Sequence, residues 1–355
     1  MFLFGIIICL LYTPLFGVAT PFTNRSLSAV PFTLPRPSQN PFANGIPTAP
    51  RVCNDLFNMS IACQLALKEH DNGLIAFGGG RLMFQDKSCS TVQKEGIGKA
   101  AWDAYTLSVS ASKPPITGAQ MAVWRTYVGP DYSEQQDRML NNLKRVSDFR
   151  HSKKFDIIVT CNDPRHQCPI KVGDKQVGGY GWTYRGWMGQ YHNIALCKSF
   201  FTVPDLEEKT EFIEEQIQNG NTKYAQEAIW QKNMGQYFLH EMMHLDSVGK
   251  PHVKDELVKT GRNGGTRSAY GPRNVYQLAQ GDLESGGGAA RSSTNADTYA
   301  WLANCLYFFE VTKVFPKPPR HEQKDEETPI MISLGDVREN VTNEELRNRM
   351  SSVGW

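Results

Sequence analysis

The spacing of apolar residues along the chain predicts helices, then a small sheet, then helices again. Short β-branched runs at 155–161 and 192–197 predict strands, and a stretch rich in glycine and aromatic residues lies between them. Apolar residues recur at helical intervals on both sides of this region. The segments with this helical spacing are about 92–105, 139–149, 222–245 and 295–311. Together they predict a mostly helical α+β domain.

The two ends of the chain differ from its middle. Residues 1–19 are almost uninterrupted apolar sequence that ends in small residues, as in a secretory signal peptide. A membrane anchor is the alternative, although the run is short for a membrane span. Residues 20–50 are rich in Pro, Ser, Asn and Thr and predict a disordered leader or propeptide remnant. Proline and then charge dominate residues 316–355, which predict a flexible charged tail and leave 51–315 as the folded domain.

Charge and cysteine content favour an exported protein. A net charge of +2 over 355 residues indicates no basic face for nucleic acid. No later segment is apolar for long enough to suggest a membrane span, so we expect a soluble, secreted monomer. Seven cysteines follow the signal peptide, and in an oxidising compartment most should pair and one should stay free. Zinc ligation by cysteine is the alternative, but no CxxC spacing occurs. N-glycosylation acceptors stand at Asn24, Asn58 and Asn340.

An HExxH motif, His240 to His244, carries the candidate chemistry. It lies in the helical segment 222–245, so residues four apart project from the same face. Two neutral imidazoles at this spacing can bind one zinc ion per chain. Glu241 can then act as general base towards a water that the metal activates. A helix that merely carries these polar residues on its surface is the alternative.

A catalytic zinc site needs a third protein ligand and one open position. Asp255 is the first choice, because the Gly249-Lys250-Pro251 break should end the helix and allow the chain to return. Asp297 is the second choice, although a carboxylate in the first turn of a helix also stabilises the helix dipole. His252 lies in the same returning loop, whereas Asp246 follows His244 too closely to share its face.

The order of short motifs resembles the aspzincin metallopeptidases, the deuterolysin-like family that includes lysine-specific metallo-endopeptidases. The resemblance extends from about Cys89 to Phe309 and implies a zincin-like, disulfide-bonded domain. The segments that carry it, besides HExxH, are Ala122-Val123-Trp124-Arg125-Thr126-Tyr127, Cys161-Asn162-Asp163-Pro164, Tyr180-Gly181-Trp182-Thr183-Tyr184, Ile194-Ala195-Leu196-Cys197, Ala269-Tyr270-Gly271 and Asn295-Ala296-Asp297-Thr298-Tyr299.

The resemblance also implies roles for individual residues. His240 and His244 would bind zinc and Glu241 would be the general base. The family's third ligand is the Asp of GTxDxxYG, but Arg267 stands at that position here. An insertion that moves the Asp upstream to Asp255 is the explanation we favour.

Three further expectations follow from the same resemblance. The hydroxyl of Tyr270 would stabilise the oxyanion, unless Tyr270 is an ordinary buried tyrosine. Asp297 would contact a cationic substrate side chain instead of zinc. Cys168 would pair with Cys197, and Cys161 with an N-terminal cysteine.

The stretch from Tyr180 to Tyr191 has two interpretations. It is either an edge strand that pairs with the substrate backbone or a surface hairpin whose aromatic side chains cover the sheet.

These observations predict a secreted zinc endopeptidase that acts on proteins or peptides. The main alternative is a secreted zinc-binding protein on the same scaffold without turnover, such as a zinc scavenger or an allergen-like protein. A disulfide-rich adhesion module with a chance HExxH is a third hypothesis, and such a module should bind no zinc.

Overall fold

The structure is a computed structural model that describes residues 74–77, 80–85, 87–147, 155–172, 175–186, 189–260, 265–281, 286–320 and 329–336. The predicted signal peptide and leader, the three glycosylation acceptors and most of the predicted tail lie outside these residues. Among the described residues, no helix has both the length and the apolar character that a membrane span requires.

Helices form most of the described chain. They are α1 (Thr91–Ala111), α2 (Gly118–Tyr127), α3 (Gln136–Ser147), α4 (Leu206–Gln218), α5 (Lys223–Gln226), α6 (Met234–Met243), α7 (Pro272–Gln280), α8 (Ala289–Ser292) and α9 (Ala296–Thr312). Capping boxes begin three of them, at Ser90 for α1, Thr117 for α2 and Asp205 for α4. α9 is buried on all faces from Ala296 to Phe308, so it is the central helix.

The strands are β1 (Leu74–Phe77), β2 (Gly80–Phe84), β3 (Phe155–Thr160), β4 (Lys171–Val172), β5 (Lys175–Gly186), β6 (Gly189–Leu196), β7 (Leu257–Thr260), β8 (Gly265–Ser268) and β9 (Ile330–Asp336). Seven belong to one sheet in the order β1-β2-β3-β6-β5-β4, with β9 paired to β5. β7 and β8 form a separate hairpin. The mixture of helices and sheet confirms the predicted α+β class.

The sheet and the central helices share one core. α1, α6 and α9 pack against one another. Gly235 permits the close approach of α6 to α1, because a Cβ atom there would collide with Asp103. Ile157 and Ile194, on β3 and β6, belong to the same buried cluster as these helices. One face of the sheet therefore lies against α6, the helix that carries HExxH.

The segment 222–245 is not the single helix that its apolar period predicted. α5 is followed by a 3₁₀ turn over Ala228–Gln231, and α6 begins only at Met234. Asn233 has extended backbone angles (φ −150°, ψ 163°), and its Oδ1 accepts from the Gln236 N–H at 2.9 Å as an N-cap. Each piece buries apolar residues in the same core, so the apolar period continues across the break.

The predicted flexible tail contains a strand. β9 pairs in parallel with β5 from Val177 to Thr183, with two shifts of register. Ile330, Met331 and Ile332 on β9 are buried. The folded domain thus continues beyond residue 315, and the flexible-tail prediction is wrong for 330–336. The prolines and charges around this short apolar run dominate the composition of the segment, so its composition did not predict a strand.

Two disulfides match the pairings that the family resemblance implied. Cys168 bonds to Cys197, and Cys161 bonds to the more N-terminal Cys89. Among the described cysteines, Cys305 is free; it is buried, and its thiol donates to the Tyr127 hydroxyl at 3.2 Å. Disulfides are typical of proteins that fold in an oxidising compartment.

Asp103 is a buried carboxyl in α1 whose substitution should stabilise the protein. Burial raises its pKa well above the usual value, although the Leu206 N–H donates to it at 3.0 Å. The folded state therefore binds this proton more tightly than the unfolded state, so its contribution to stability is greatest at acidic pH and is lost as pH rises. Asp103→Asn should raise the free energy of unfolding at pH 7, because the neutral amide avoids the cost of burying a carboxylate.

Thermal unfolding at pH 7 and pH 4 would test this prediction. The gain should shrink at pH 4, where the parent carboxyl is protonated, so the acidic measurement is the internal control. An Asn variant that is less stable than the parent at both pH values would contradict it.

Candidate metal centre

The HExxH side chains are buried beneath the sheet. His240 and Glu241 lie in the last turns of α6, and His244 caps its C-terminus. The Nε2 atoms of His240 and His244 are 3.4 Å apart, and the ring centroids are 5.1 Å apart. Ligand atoms of His240, Glu241 and His244 lie within 4.8 Å of one another, so this group could hold a metal ion. The motif is therefore not a set of polar residues on a helix surface.

The structure also brings Asp255 to the two imidazoles. Its Oδ1 atom is 3.3 Å from His240 Nε2 and 3.5 Å from His244 Nε2. With the 3.4 Å between the two nitrogens, these atoms form a nearly equilateral triangle. Tetrahedral ligands about 2.0–2.1 Å from one ion are separated by about 3.4 Å. The position of Asp255 Oδ1 therefore matches the spacing of a third ligand.

The loop around Asp255 is fixed on both sides. Lys254 pairs with the chain before α9, where its N–H donates to Thr294 O at 2.9 Å and its carbonyl accepts from Ala296 N at 2.9 Å. The Glu256 N–H donates to the Asn295 side chain at 3.0 Å. The buried carboxylate of Glu256 accepts from Arg291 and Thr294. Asp255 is therefore held in place by the backbone pairing of Lys254 and by the ion pair of Glu256 with Arg291.

Hydrogen bonds at the opposite nitrogen orient each imidazole. His240 Nδ1 lies 3.1 Å from Asp297 Oδ1, and His244 Nδ1 lies 3.0 Å from the Val253 carbonyl. A carbonyl oxygen can only accept, and the carboxylate accepts as well, so both Nδ1 atoms carry the proton. The lone pairs of the two Nε2 atoms then face the centre of the triangle, as metal ligation requires.

Asp297 occupies neither of the positions considered for it. Its Oδ2 accepts from the Gly271 N–H at 2.6 Å and from Trp301 Nε1 at 2.9 Å, while Oδ1 faces His240. The side chain is buried, and both oxygens are engaged within the protein. Asp297 therefore orients the His240 imidazole, and the structure places its carboxylate neither at the third-ligand position nor free to meet a cationic substrate side chain.

Opposite charges stabilise one another in this pocket when no metal is bound. Burial raises the pKa of Asp255, but His244 and His240 together lower it by more than burial raises it. The net pKa of Asp255 therefore lies well below the usual range. Burial lowers the pKa of His240, but Asp255 and Asp297 outweigh it and raise the net pKa well above the usual value. A divalent cation would replace the imidazole protons as the partner of the Asp255 carboxylate.

Glu241 lies beneath β5 and β6, next to Gly181 and His192. It is fully buried, and neither of its carboxylate oxygens has a hydrogen-bond partner among the described residues. Its Oε2 lies 3.6 Å from Nε2 of His192, a buried residue on β6. Sequence reasoning missed His192. An imidazole inside an otherwise apolar strand was the available signal, but the strand pattern alone did not connect it with α6.

Tyr270 lies beside His240. Its ring is 5.5 Å from the His240 ring, edge to face, and its hydroxyl oxygen accepts from the Met331 N–H at 3.2 Å. Burial raises the pKa of Tyr270 well above its usual value, so the hydroxyl keeps its proton at neutral pH. The residue thus lies next to the candidate centre, in contact with β9.

Two other residues from the sequence analysis lie elsewhere. His252 is exposed, and its Nδ1 is 2.8 Å from Asp246 Oδ1, so the structure does not place this imidazole among the ligands. Arg267, which stands where the family pattern has aspartate, donates to the Gln277 side chain at 2.7 Å.

No model of a known protein family matches the chain, and a search of curated proteins finds no similar sequence. The resemblance to aspzincins therefore stays a prediction.

Proposed function

We propose that this protein is a secreted, zinc-dependent endopeptidase with a zincin-like domain. One observation carries the proposal. His240, His244 and Asp255 direct three ligand atoms towards a common point at separations of 3.3–3.5 Å, and Glu241 is buried beside them. Three protein ligands with one position left for water or substrate are typical of catalytic zinc sites.

The donor set favours zinc over other divalent cations. Two imidazole nitrogens and one carboxylate oxygen suit zinc, whereas magnesium and calcium prefer oxygen ligands in higher coordination. The residues present therefore fit one zinc ion per chain. When bound, zinc would lower the pKa of a coordinated water and polarise a peptide carbonyl.

The remaining steps belong to residues of the chain. Glu241 would accept a proton from the attacking water at one carboxylate oxygen and deliver it to the leaving amine. Its burial keeps bulk water away from the carboxylate, which strengthens its interaction with the proton it transfers. The protonated hydroxyl of Tyr270, beside His240, is the candidate donor to the oxyanion that forms on the peptide carbonyl.

A zinc-binding protein without turnover is the second candidate function. One observation favours it: β9 occupies the outer edge of β5 and engages the Tyr270 hydroxyl through Met331. Glu241 favours the endopeptidase, because zinc binding alone needs no carboxylate between the two ligand histidines. Asp255, at 3.3 and 3.5 Å from the two imidazoles, supports a complete set of three protein ligands, which the endopeptidase also requires.

Chelation and reconstitution would test the proposal. Purified protein should hydrolyse casein or a quenched fluorescent peptide, and a chelator should lower the rate at least about 100-fold. Adding back about one equivalent of zinc should restore the rate, because the ligand triangle would again hold the ion that activates water.

The control is a serine-protease inhibitor, which should leave the rate unchanged. Folded protein that binds zinc but shows no hydrolysis would support the second candidate function. Protein that binds no zinc would contradict both.

A further inference from the structure

His192 and Glu241 face each other across the boundary between the sheet and the catalytic helix. Both side chains are buried, and the distance from His192 Nε2 to Glu241 Oε2 is 3.6 Å, just beyond a direct hydrogen bond. Neither this nitrogen nor either oxygen of Glu241 has a hydrogen-bond partner among the described residues. A buried carboxylate is costly unless a donor faces it, and His192 is placed to provide that donor.

The protonation of His192 suits this role. Its Nδ1 lies 3.4 Å from the Thr183 hydroxyl on the neighbouring strand β5. When that hydroxyl donates to Nδ1, the ring proton is on Nε2, the nitrogen that faces Glu241. The hairpin formed by β5 and β6 thus fixes the position of the imidazole, and the tautomer in which Thr183 donates directs Nε2–H at Glu241.

Gly181 leaves the space in which the two groups meet. A Cβ atom at this position of β5 would collide with Glu241 Oε2 and would lie 3.3 Å from His192 Nε2. Only backbone therefore passes over the carboxylate at this point. A side chain here would separate Glu241 from His192 or push the carboxylate away from the ligand triangle.

We infer that His192 is a positioning residue for the general base: its Nε2–H faces one oxygen of Glu241 at 3.6 Å, close enough for a small approach to form a hydrogen bond, and leaves the other oxygen for the attacking water. The inference rests on the proposed endopeptidase function and deepens it. A carboxylate fixed at one oxygen keeps the geometry that proton transfer needs. His192 forms no bond to substrate and binds no metal in this scheme.

Two substitutions at His192 would test the inference in the zinc-loaded, full-length protein. His192→Leu removes the donor and should lower kcat on a fluorescent peptide about 10- to 100-fold, the usual effect of losing such a partner. KM should stay within about twofold, since the residue acts on the chemical step and not on uniform substrate binding. His192→Gln retains an N–H donor and should recover most of kcat.

Controls separate this role from a structural one. Zinc content and thermal midpoint should be measured for every variant, and His166→Asn, at an exposed position after β3 whose left-handed backbone (φ 55°) tolerates asparagine, should behave as the parent. A His192→Leu variant that keeps full zinc and full kcat would overturn the inference alone. Equal impairment of the His192→Leu and His192→Gln variants would also overturn the inference. The size of the side chain, and not its N–H donor, would then determine the rate. A zinc-loaded parent without hydrolysis would overturn the proposed function and the inference together.

Discussion

Replacing Glu241 by Gln is expected to lower kcat by about 10²- to 10⁴-fold, the usual contribution of a general base. Gln has nearly the same shape as Glu and can occupy the same buried position beneath β5, but it cannot accept the proton from water. Zinc content should remain at about one ion per chain, since the ligand triangle consists of His240, His244 and Asp255. Peptide hydrolysis and metal analysis of the same preparation would check both parts.

Glu211→Gln, at an exposed position of α4, is a matched control and should leave kcat unchanged. The general-base assignment would be wrong if the Glu241→Gln variant digested casein as fast as the parent. Loss of zinc from this variant would instead identify Glu241 as a ligand, which the 4.8 Å grouping with the two histidines also permits.

Asp255→Ala is expected to weaken zinc binding at least about 100-fold, because only two protein ligands would remain. Asp297→Ala should weaken it less, by about 10- to 100-fold, as is typical for a residue that orients a ligand. Competition with a chromophoric chelator would give both dissociation constants. A ligand in 1,000-fold excess over its Kd stabilises the folded state by about 4 kcal/mol, so the thermal midpoint should fall in the same order.

His252→Ala is the control for this series, because the exposed imidazole pairs with Asp246. If Asp255→Ala kept the zinc affinity of the parent while Asp297→Ala lost it, the roles that we assign to the two aspartates would have to be exchanged.

Local pattern was sufficient to predict the parts of the fold that lie close together in sequence. The HExxH spacing predicts two imidazoles on one face, and the apolar spacing from 295 to about 311 predicts α9, which spans Ala296–Thr312. The β-branched runs predict β3 to within one residue and the second half of β6, which begins three residues before the predicted run. These features follow from the side-chain periods of helix and strand, which require no knowledge of distant contacts.

Other features depend on contacts between distant segments, which local pattern does not encode. Asp255 and Asp297 were both plausible third ligands, and only the pairing of Lys254 with the chain before α9 directs Asp255 at the metal centre. His192 reaches Glu241 because β6 crosses α6, a relation between segments about fifty residues apart. The break at Asn233 in the segment 222–245 also depends on distant contacts. Packing of the chain on both sides of Asn233 determines its extended backbone.

The parallel pairing of β9 has a consequence for how a polypeptide could bind beside the candidate metal centre. β5 already has neighbours on both sides between Val177 and Thr183, so an incoming backbone cannot add to the sheet there as an extra strand. A chain shortened to residue 315 would uncover this edge and release the Tyr270 hydroxyl from Met331, but it would also expose the apolar side chains now covered by β9. Removal of 330–336 would therefore take away both a neighbour of β5 and a partner of Tyr270.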